Sequence, residues 1–190
     1  MSITEKQRRE IIMKLVVING TPRKFGRTRV VAKYIADQFE GELYDLSVEE
    51  LPLYNGEESQ RELEAVKKLK TLVKTADGVV LCTPEYHNAM SGALKNSLDY
   101  LSSSEFVHKP VALLAVAGGG KGGINALNNM RIVARGVYAN AIPKQVVLDG
   151  LHVQDGELGE DAKPLIHDLV KELKAYMSVY KEVKKQLGVE

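Results

Sequence analysis

Apolar residues recur along this chain in two patterns, one typical of buried strands and the other of amphipathic helices. Five short, largely apolar runs predict strands covered on both faces, at residues 13–19, 42–46, 78–83, 110–117 and 144–149. Segments with apolar residues every three or four positions predict helices with one buried stripe, at residues 28–39, 60–76, 91–101, 124–140 and 161–186. We expect Pro84 to end the third strand, because proline has no amide hydrogen for a sheet ladder.

The alternation of strands and helices predicts a parallel sheet. Right-handed crossovers between parallel strands place helices on both faces of the sheet. We therefore expect an α/β fold with a doubly wound five-stranded parallel sheet, either flavodoxin-like or of the nucleotide-binding type. The chain has 190 residues, enough for one domain. We assign this domain to residues 13–190 and treat residues 1–12 as an N-terminal extension with no assigned function.

Composition narrows the class of protein. The net charge is +1, which favours neither a nucleic acid nor a membrane surface as partner. No apolar run approaches the ~18 residues that a membrane-spanning helix needs. Cys82 is the single cysteine, so an internal disulfide is excluded and a cytoplasmic location is expected. The four histidines are scattered singly, so no metal site is predicted.

Three loops follow predicted strands and carry unusual residues, at positions 20–28, 84–91 and 118–123. Ligands of open α/β sheets bind beyond the carboxyl ends of the strands. We therefore expect these three loops to converge on one site.

The first loop, in the stretch NGTPRKFGRT, is similar to a Walker A loop but departs from its pattern. Gly20 and Gly26 are separated by five residues instead of four, and Arg27 stands where a lysine is required. The third and fourth strands also lack an acidic residue at their ends, so ATP hydrolysis is not expected. The dinucleotide pattern G-x-G-x-x-G is absent from this loop.

What remains of the first loop is a polar segment that enters a helix N-terminus, where unpaired amides and the helix dipole favour an anion. Thr21 and Thr28 supply hydroxyl donors, and Arg23 and Arg27 supply charged donors. This set suits a terminal monophosphate. In the alternative interpretation the loop is a solvated turn, and Thr28 caps the helix.

The second and third loops offer aromatic and flexible elements. Tyr86 and His87 are placed to flank a flat aromatic ligand, with the amides of residues 85–88 at its edge; alternatively, both are solvated surface residues. The stretch GGGKGG at 118–123 has five glycines in six positions, which allows the backbone to approach a ligand closely. Lys121 either meets a phosphate of an incoming cofactor or is solvated.

Together, GTPR after the first strand, PEYHNAMSGALKNSLDYLS after the third and GGGKGGINALNNMR after the fourth resemble the NADPH-dependent FMN reductase family. Within this family the chain is similar to bacterial azobenzene reductases, also described as quinone reductases. The resemblance covers residue 13 to about residue 186, and its middle motif is the most specific. There are departures: many members have asparagine where His87 stands, many have serine for Thr21, and relatives often have a small polar residue for Arg27.

The resemblance implies a flavodoxin-like fold that binds FMN noncovalently. The first loop would bind the FMN phosphate through Thr21, Arg23 and Thr28, with Arg27 as a further candidate. The second loop would line the isoalloxazine ring, and the third would approach the ring from another side. The residues that the resemblance assigns to the cofactor are Thr21, Arg23, Arg27, Thr28, Pro84, Glu85, Tyr86, His87, Gly118, Gly119, Gly120, Lys121, Gly122 and Gly123. It also implies a homodimer or homotetramer with the flavin near a subunit interface.

The activity implied is that of an oxidoreductase. NADPH, or NADH, would pass a hydride to FMN, and an azo compound, quinone or related small acceptor would then take two electrons in a ping-pong scheme. No side chain is assigned as a catalytic acid or base, because the cofactor carries the chemistry. Two alternatives stay open: a flavodoxin-like electron carrier, which the +1 charge disfavours, and a nonenzymatic nucleotide-binding protein on the same fold.

Overall fold

The structure is a computed structural model that describes residues 13–118 and 122–189. The strands are β1 (Leu15–Asn19), β2 (Glu42–Asp45), β3 (Gly78–Tyr86), β4 (Ala89–Met90), β5 (Pro110–Val116), β6 (Asn140–Leu148), β7 (Val153–Gln154) and β8 (Glu157–Leu158). The helices are α1 (Arg27–Phe39), α2 (Glu58–Arg61), α3 (Glu64–Thr75), α4 (Gly92–Asp99), α5 (Ser103–Phe106), α6 (Ile124–Gly136) and α7 (Ala162–Leu187), and a 3-10 helix covers Gly150–His152.

The main sheet has the strand order β2-β1-β3-β5-β6, and every neighbouring pair in this order is parallel. One face of the sheet packs against α1 and α7 in an apolar cluster that includes Val31, Ile35 and Leu169. The other face packs against α3, α4 and α6, with Leu69, Leu94 and Leu127 among its contacts. The predicted doubly wound five-stranded parallel sheet is therefore confirmed, and its strand order is the flavodoxin-like one.

The third strand is longer than predicted. β3 continues through Pro84 to Tyr86, and β4 folds back antiparallel to its end, with Tyr86 opposite Ala89. β1 ends opposite Cys82, so beyond this point β3 keeps only β5 as its parallel neighbour. Proline is tolerated in a strand where one side of the ladder is open, which explains why Pro84 does not end β3.

Several helix bounds also differ from the prediction. The segment 60–76 is divided, because Leu63 has an extended backbone (φ −63°, ψ 131°) between α2 and α3. The segment 124–140 is shorter than predicted, because α6 ends at Gly136 and β6 already begins at Asn140. The β7–β8 hairpin was not predicted, since its strands have only two residues each. Among the residues that the structure describes, no helix is long and apolar enough to cross a membrane.

Candidate cofactor site

The first loop starts in close contact with the end of β3. The amide of Gly20 donates to the carbonyl oxygen of Cys82 at 2.7 Å. A Cβ atom on Gly20 would lie 2.5 Å from that oxygen and 2.9 Å from the Cβ of Leu94 in α4. The hydroxyl of Ser91 donates to the Gly20 carbonyl oxygen. Only glycine therefore fits between β3 and α4 at this position.

A buried polar network from the end of β2 fixes the turn that follows β1. The Asn19 side chain donates to an Asp45 carboxylate oxygen at 2.6 Å and accepts from the Thr21 amide at 3.3 Å. The other Asp45 oxygen accepts from Arg29 Nε at 2.7 Å. Burial opposes ionisation of Asp45, but hydrogen bonds from Arg29, Ser47 and Asn19 outweigh it and lower its pKa. Arg29 is thus committed to Asp45 and balances its charge.

The start of α1 offers hydrogen-bond donors with no competing acid. Gly26 is the N-cap, no side chain caps the helix, and its first turn has no acidic residue. Thr21 and Thr28, which are 1% and 2% exposed, lie on either side of this N-cap in the sequence. The Thr21 hydroxyl oxygen accepts from the Arg23 amide at 3.3 Å, which folds the loop back on itself. The alternative in which Thr28 caps α1 is wrong, because Thr28 is the second residue of the helix.

Arg27 extends from α1 toward the ends of β5 and β6. A Cβ atom on Gly150 would lie 1.9 Å from Arg27 Nη1, and one on Gly118 would lie 3.5 Å from Nη2. The guanidinium group therefore lies against Gly150 and near Gly118, where the third loop begins. Arg27 joins the first loop to the third, whereas the exposed Arg23 stays on the first loop.

The second loop is a tight hairpin. His87 (φ 51°) and Asn88 (φ 63°) both have left-handed backbones and form the two residues between β3 and β4. Two positive φ values in a two-residue turn define type I′, which asparagine tolerates well. Pro84 is buried in β3, and Tyr86 and His87 are exposed at the tip. The hairpin thus presents one aromatic and one imidazole side chain at the carboxyl edge of the sheet.

The carboxylate of Glu85, a predicted ring-lining residue, contacts α6 and the end of the third loop. One carboxylate oxygen accepts from the amide of Ala126 in the first turn of α6 at 2.9 Å. The other would lie 2.9 Å from a Cβ atom on Gly122. The structure therefore brings Glu85 together with the third loop and α6.

The third loop ends in a second position that requires glycine. Gly123, the N-cap of α6, has φ +103°, and a Cβ atom there would lie 2.5 Å from Cγ1 of Val147 in β6. Gly118, Gly122 and Gly123 lie in the described part of the loop. The predicted site residues Gly119, Gly120 and Lys121 lie outside the described residues.

Sequence reasoning missed two residues that hold the site. Ser91 caps α4 by accepting from the Leu94 amide at 3.0 Å, and its own amide donates to the Thr83 hydroxyl at 3.0 Å. Asn19 lies fully buried at the end of β1. Both carried a signal: a serine just before a helical pattern is a preferred N-cap, and a polar residue closing an apolar strand needs a buried partner.

A cavity of about 840 Å³ lies at the other end of the sheet. It is lined by residues near the starts of β5 and β6, including Pro110 and Asn140, and by Tyr176 and Tyr180 of α7. Ligand sites of this fold lie at the carboxyl ends of strands, where a cleft of about 510 Å³ borders the first loop at Pro22 and Lys24.

The fold and the three converging loops define a flavodoxin-like α/β protein in which α1 begins without a side-chain cap or an acidic residue. The family described as NADPH-dependent FMN reductase matches residues 13–152. The chain therefore belongs to this family, as the three loop motifs predicted. As a member it is an oxidoreductase that uses FMN as cofactor and NADPH as co-substrate.

Three relatives illustrate this placement. The chain is 93% identical over 178 residues to an NADPH azoreductase of Bacillus sp. (strain OY1-2), covering 94% of this chain and all of that protein. It is 30% identical over 179 residues to the FMN-dependent NADPH-azoreductase of Staphylococcus aureus (strain USA300), covering 88% and 92%. The solved structure of FerB, a flavoenzyme NAD(P)H:(acceptor) oxidoreductase from Paracoccus denitrificans, aligns with a TM-score of 0.69 at 21% identity, covering 90% and 98%. This last likeness shows the fold.

Proposed function

We propose that this chain is an azoreductase that transfers two electrons from NADPH, through bound FMN, to azo compounds, and that quinones and related small molecules also serve as acceptors. The observation that carries the proposal is the open start of α1, with buried threonines and no acid, in a chain 93% identical to an NADPH azoreductase. The donors at this helix start fit a single phosphate group.

The first loop is proposed to hold the FMN phosphate. The amides of Arg27 and Thr28 are the first two of α1 and have no acceptor within the helix. The hydroxyls of Thr21 and Thr28 and the guanidinium of Arg23 complete the set of donors. Asp45 does not oppose the phosphate, because its charge is balanced by Arg29 at 2.7 Å. The guanidinium of Arg27, near Gly118, is proposed to contact the cofactor from the third-loop side.

The β3–β4 hairpin and the third loop are proposed to enclose the isoalloxazine ring. Pro84, Tyr86 and His87 lie at the sheet edge, and the third loop is proposed to face the ring from the other side, where Gly118, Gly122 and Gly123 lie. FMN held by these residues would supply the redox chemistry, which is acceptance of a hydride from NADPH and transfer of two electrons to the acceptor. The protein's own residues bind, orient and exclude water. NADPH and the acceptor are proposed to use the same face in turn, which gives ping-pong kinetics.

Three further features belong to the proposal. The enzyme is proposed to form a homodimer or homotetramer with the flavin near a subunit interface, as the family resemblance implied. A cytoplasmic location is favoured by the single, buried thiol of Cys82 and by the use of NADPH. Residues 13–190 are proposed as the FMN-binding domain, with residues 1–12 outside it.

An absorbance spectrum of the purified protein before and after anaerobic addition of NADPH tests this function. The expected result is a flavin spectrum that NADPH bleaches and that an azo dye restores while losing its own colour. Initial rates measured against NADPH concentration at several fixed dye concentrations should give parallel double-reciprocal lines. A flavin that NADPH leaves oxidised would instead support an electron carrier, and protein without FMN would refute the proposal.

The proposed phosphate-binding role of the first loop is tested by comparing the binding of FMN with that of riboflavin. Arg23→Gln should raise the Kd for FMN by roughly 10- to 100-fold, because a charge-assisted hydrogen bond is lost. The Kd for riboflavin, which has no phosphate, should not change. Arg131→Gln is the matched control, since Arg131 Nε donates to Gln145 in β6 at 2.6 Å. If Arg23→Gln lowered the affinities for FMN and riboflavin equally, Arg23 would not act on the phosphate.

A further inference from the structure

Glu85 makes a long-range cap on α6. The N-cap of α6 is Gly123, which has no side chain, and the first turn of α6 carries no acidic residue. The carboxylate of Glu85, 41 residues earlier in the chain, accepts instead from the Ala126 amide at 2.9 Å. A carboxylate at a helix N-terminus satisfies an unpaired donor and interacts favourably with the helix dipole. Glu85 therefore does for α6 what a local cap does elsewhere.

The same carboxylate also packs against the end of the third loop. Its second oxygen occupies the space beside Gly122, where a Cβ atom would lie 2.9 Å from it and 3.0 Å from the Cβ of Ala117. A side-chain hydrogen bond of 3.3 Å from Asn125 to Asn88 adds a second link between α6 and the hairpin. From the β3–β4 hairpin, Glu85 thus contacts both Gly122 and the start of α6.

Among the helices that begin at this edge of the sheet, α1 and α6 differ in whether an acceptor already occupies the first turn. The start of α1 has neither a side-chain cap nor an acid, whereas the start of α6 already holds a carboxylate. An anion is therefore directed to α1. Ordering a glycine-rich loop costs conformational entropy. Glu85 contacts Gly122, the residue before Gly123 at the end of the third loop.

We propose that Glu85 is a positioning residue for the flavin ring: by contacting Gly122 and the start of α6, it holds the end of the third loop, Gly122 and Gly123, in the arrangement that FMN binding requires. This inference rests on the proposed FMN site. Because Glu85 acts on the ring side of the cofactor, substitution of Glu85 weakens the binding of FMN and of riboflavin to the same extent. That outcome is opposite to the one expected for Arg23, which acts on the phosphate alone.

The test compares Glu85→Ala and Glu85→Gln with wild type by flavin fluorescence titration and by hydrogen exchange of residues 122–126 in the protein freed of FMN. Glu85→Ala should raise the Kd for FMN and for riboflavin by roughly tenfold each and speed exchange at the start of α6. Glu85→Gln should recover most of the affinity, because an amide oxygen still accepts from the Ala126 amide.

Glu105→Ala is the matched control, because Glu105 also accepts from a backbone amide, that of Ser102 at 2.8 Å, in the cap of α5. It should lower stability without changing either Kd. The proposal would be overturned if Glu85→Ala left both affinities unchanged or lowered only the affinity for FMN. It would also be overturned if Glu105→Ala, at equal stability, lowered both affinities by the same amount. A wild-type protein that binds no FMN would instead refute the proposed function itself.

Discussion

The close contact between Gly20 and the end of β3 predicts that Gly20→Ala lowers both the stability of the protein and its affinity for FMN. In Gly20→Ala the new methyl group would lie 2.5 Å from the Cys82 carbonyl oxygen and 2.9 Å from the Cβ of Leu94. Neither neighbour has rotamer freedom to yield, since one atom is backbone and the other is a Cβ in a packed helix. The first loop must therefore move away from β3 and α4.

The size of the effect follows from what that movement breaks. Overpacking in a filled interior costs about 1–3 kcal/mol. The loop also loses or lengthens the 2.7 Å hydrogen bond to Cys82 and the hydrogen bond from Ser91, each contributing about 1 kcal/mol. Gly20→Ala should therefore lower the free energy of unfolding by about 3–5 kcal/mol. Because Thr21 is the next residue, the Kd for FMN should rise as well.

Urea unfolding of the FMN-free protein measures the first quantity, and flavin titration measures the second. Gly136→Ala is the control: a Cβ atom at this last residue of α6 meets nothing within 4 Å. It should be neutral or stabilising by up to about 1 kcal/mol. A Gly20→Ala protein with wild-type stability and wild-type FMN affinity would show that β3 and the first loop are not in close contact.

Three further predictions concern titration and reactivity. Burial lowers the pKa of Lys109 from 10.5 to about 8; between these values only the unfolded state holds the proton, so stability should rise with pH by about 3 kcal/mol. Lys109→Met should lack this rise when unfolding free energies at pH 7 and pH 10 are compared. Because the pKa of Asp45 is lowered in the folded state, its ionised carboxylate stabilises the fold above a pH of ~4, and this stabilisation is lost as the pH falls through the lowered pKa. In urea titrations, Asp45→Asn should therefore be less stable than wild type at pH 7, and the difference should shrink toward a pH of ~3. Burial raises the pKa of the Cys82 thiol to about 12, so a thiol reagent should label it only after unfolding.

Much of the architecture was accessible from the sequence because parallel α/β folds have strong local signatures. Buried parallel strands are apolar at consecutive positions, and crossover helices have one apolar stripe. Once strand order is limited by right-handed crossovers, the loops after β1, β3 and β5 must share one edge. The contacts of Gly20 with Cys82, Arg27 with Gly118 and Glu85 with Gly122 confirm this convergence.

The remaining features depend on partners that are distant in sequence. The capping role of Glu85 depends on Ala126, and the tolerance of β3 for Pro84 depends on where β1 stops. Leu63 fits the apolar period of a single helix, yet it is 39% exposed at the break between α2 and α3. Periodicity records which residues are apolar but not where the backbone leaves the helix.

The two-residue turn at His87 and Asn88 limits how this enzyme can be redesigned. A type I′ turn fixes both the length of the connection and the register of the two strands. One inserted residue would require another turn type and, if the pairing slipped by one position, would exchange the faces occupied by Glu85 and Tyr86. Libraries that aim to change acceptor preference should therefore substitute residues at the hairpin tip and keep its length constant.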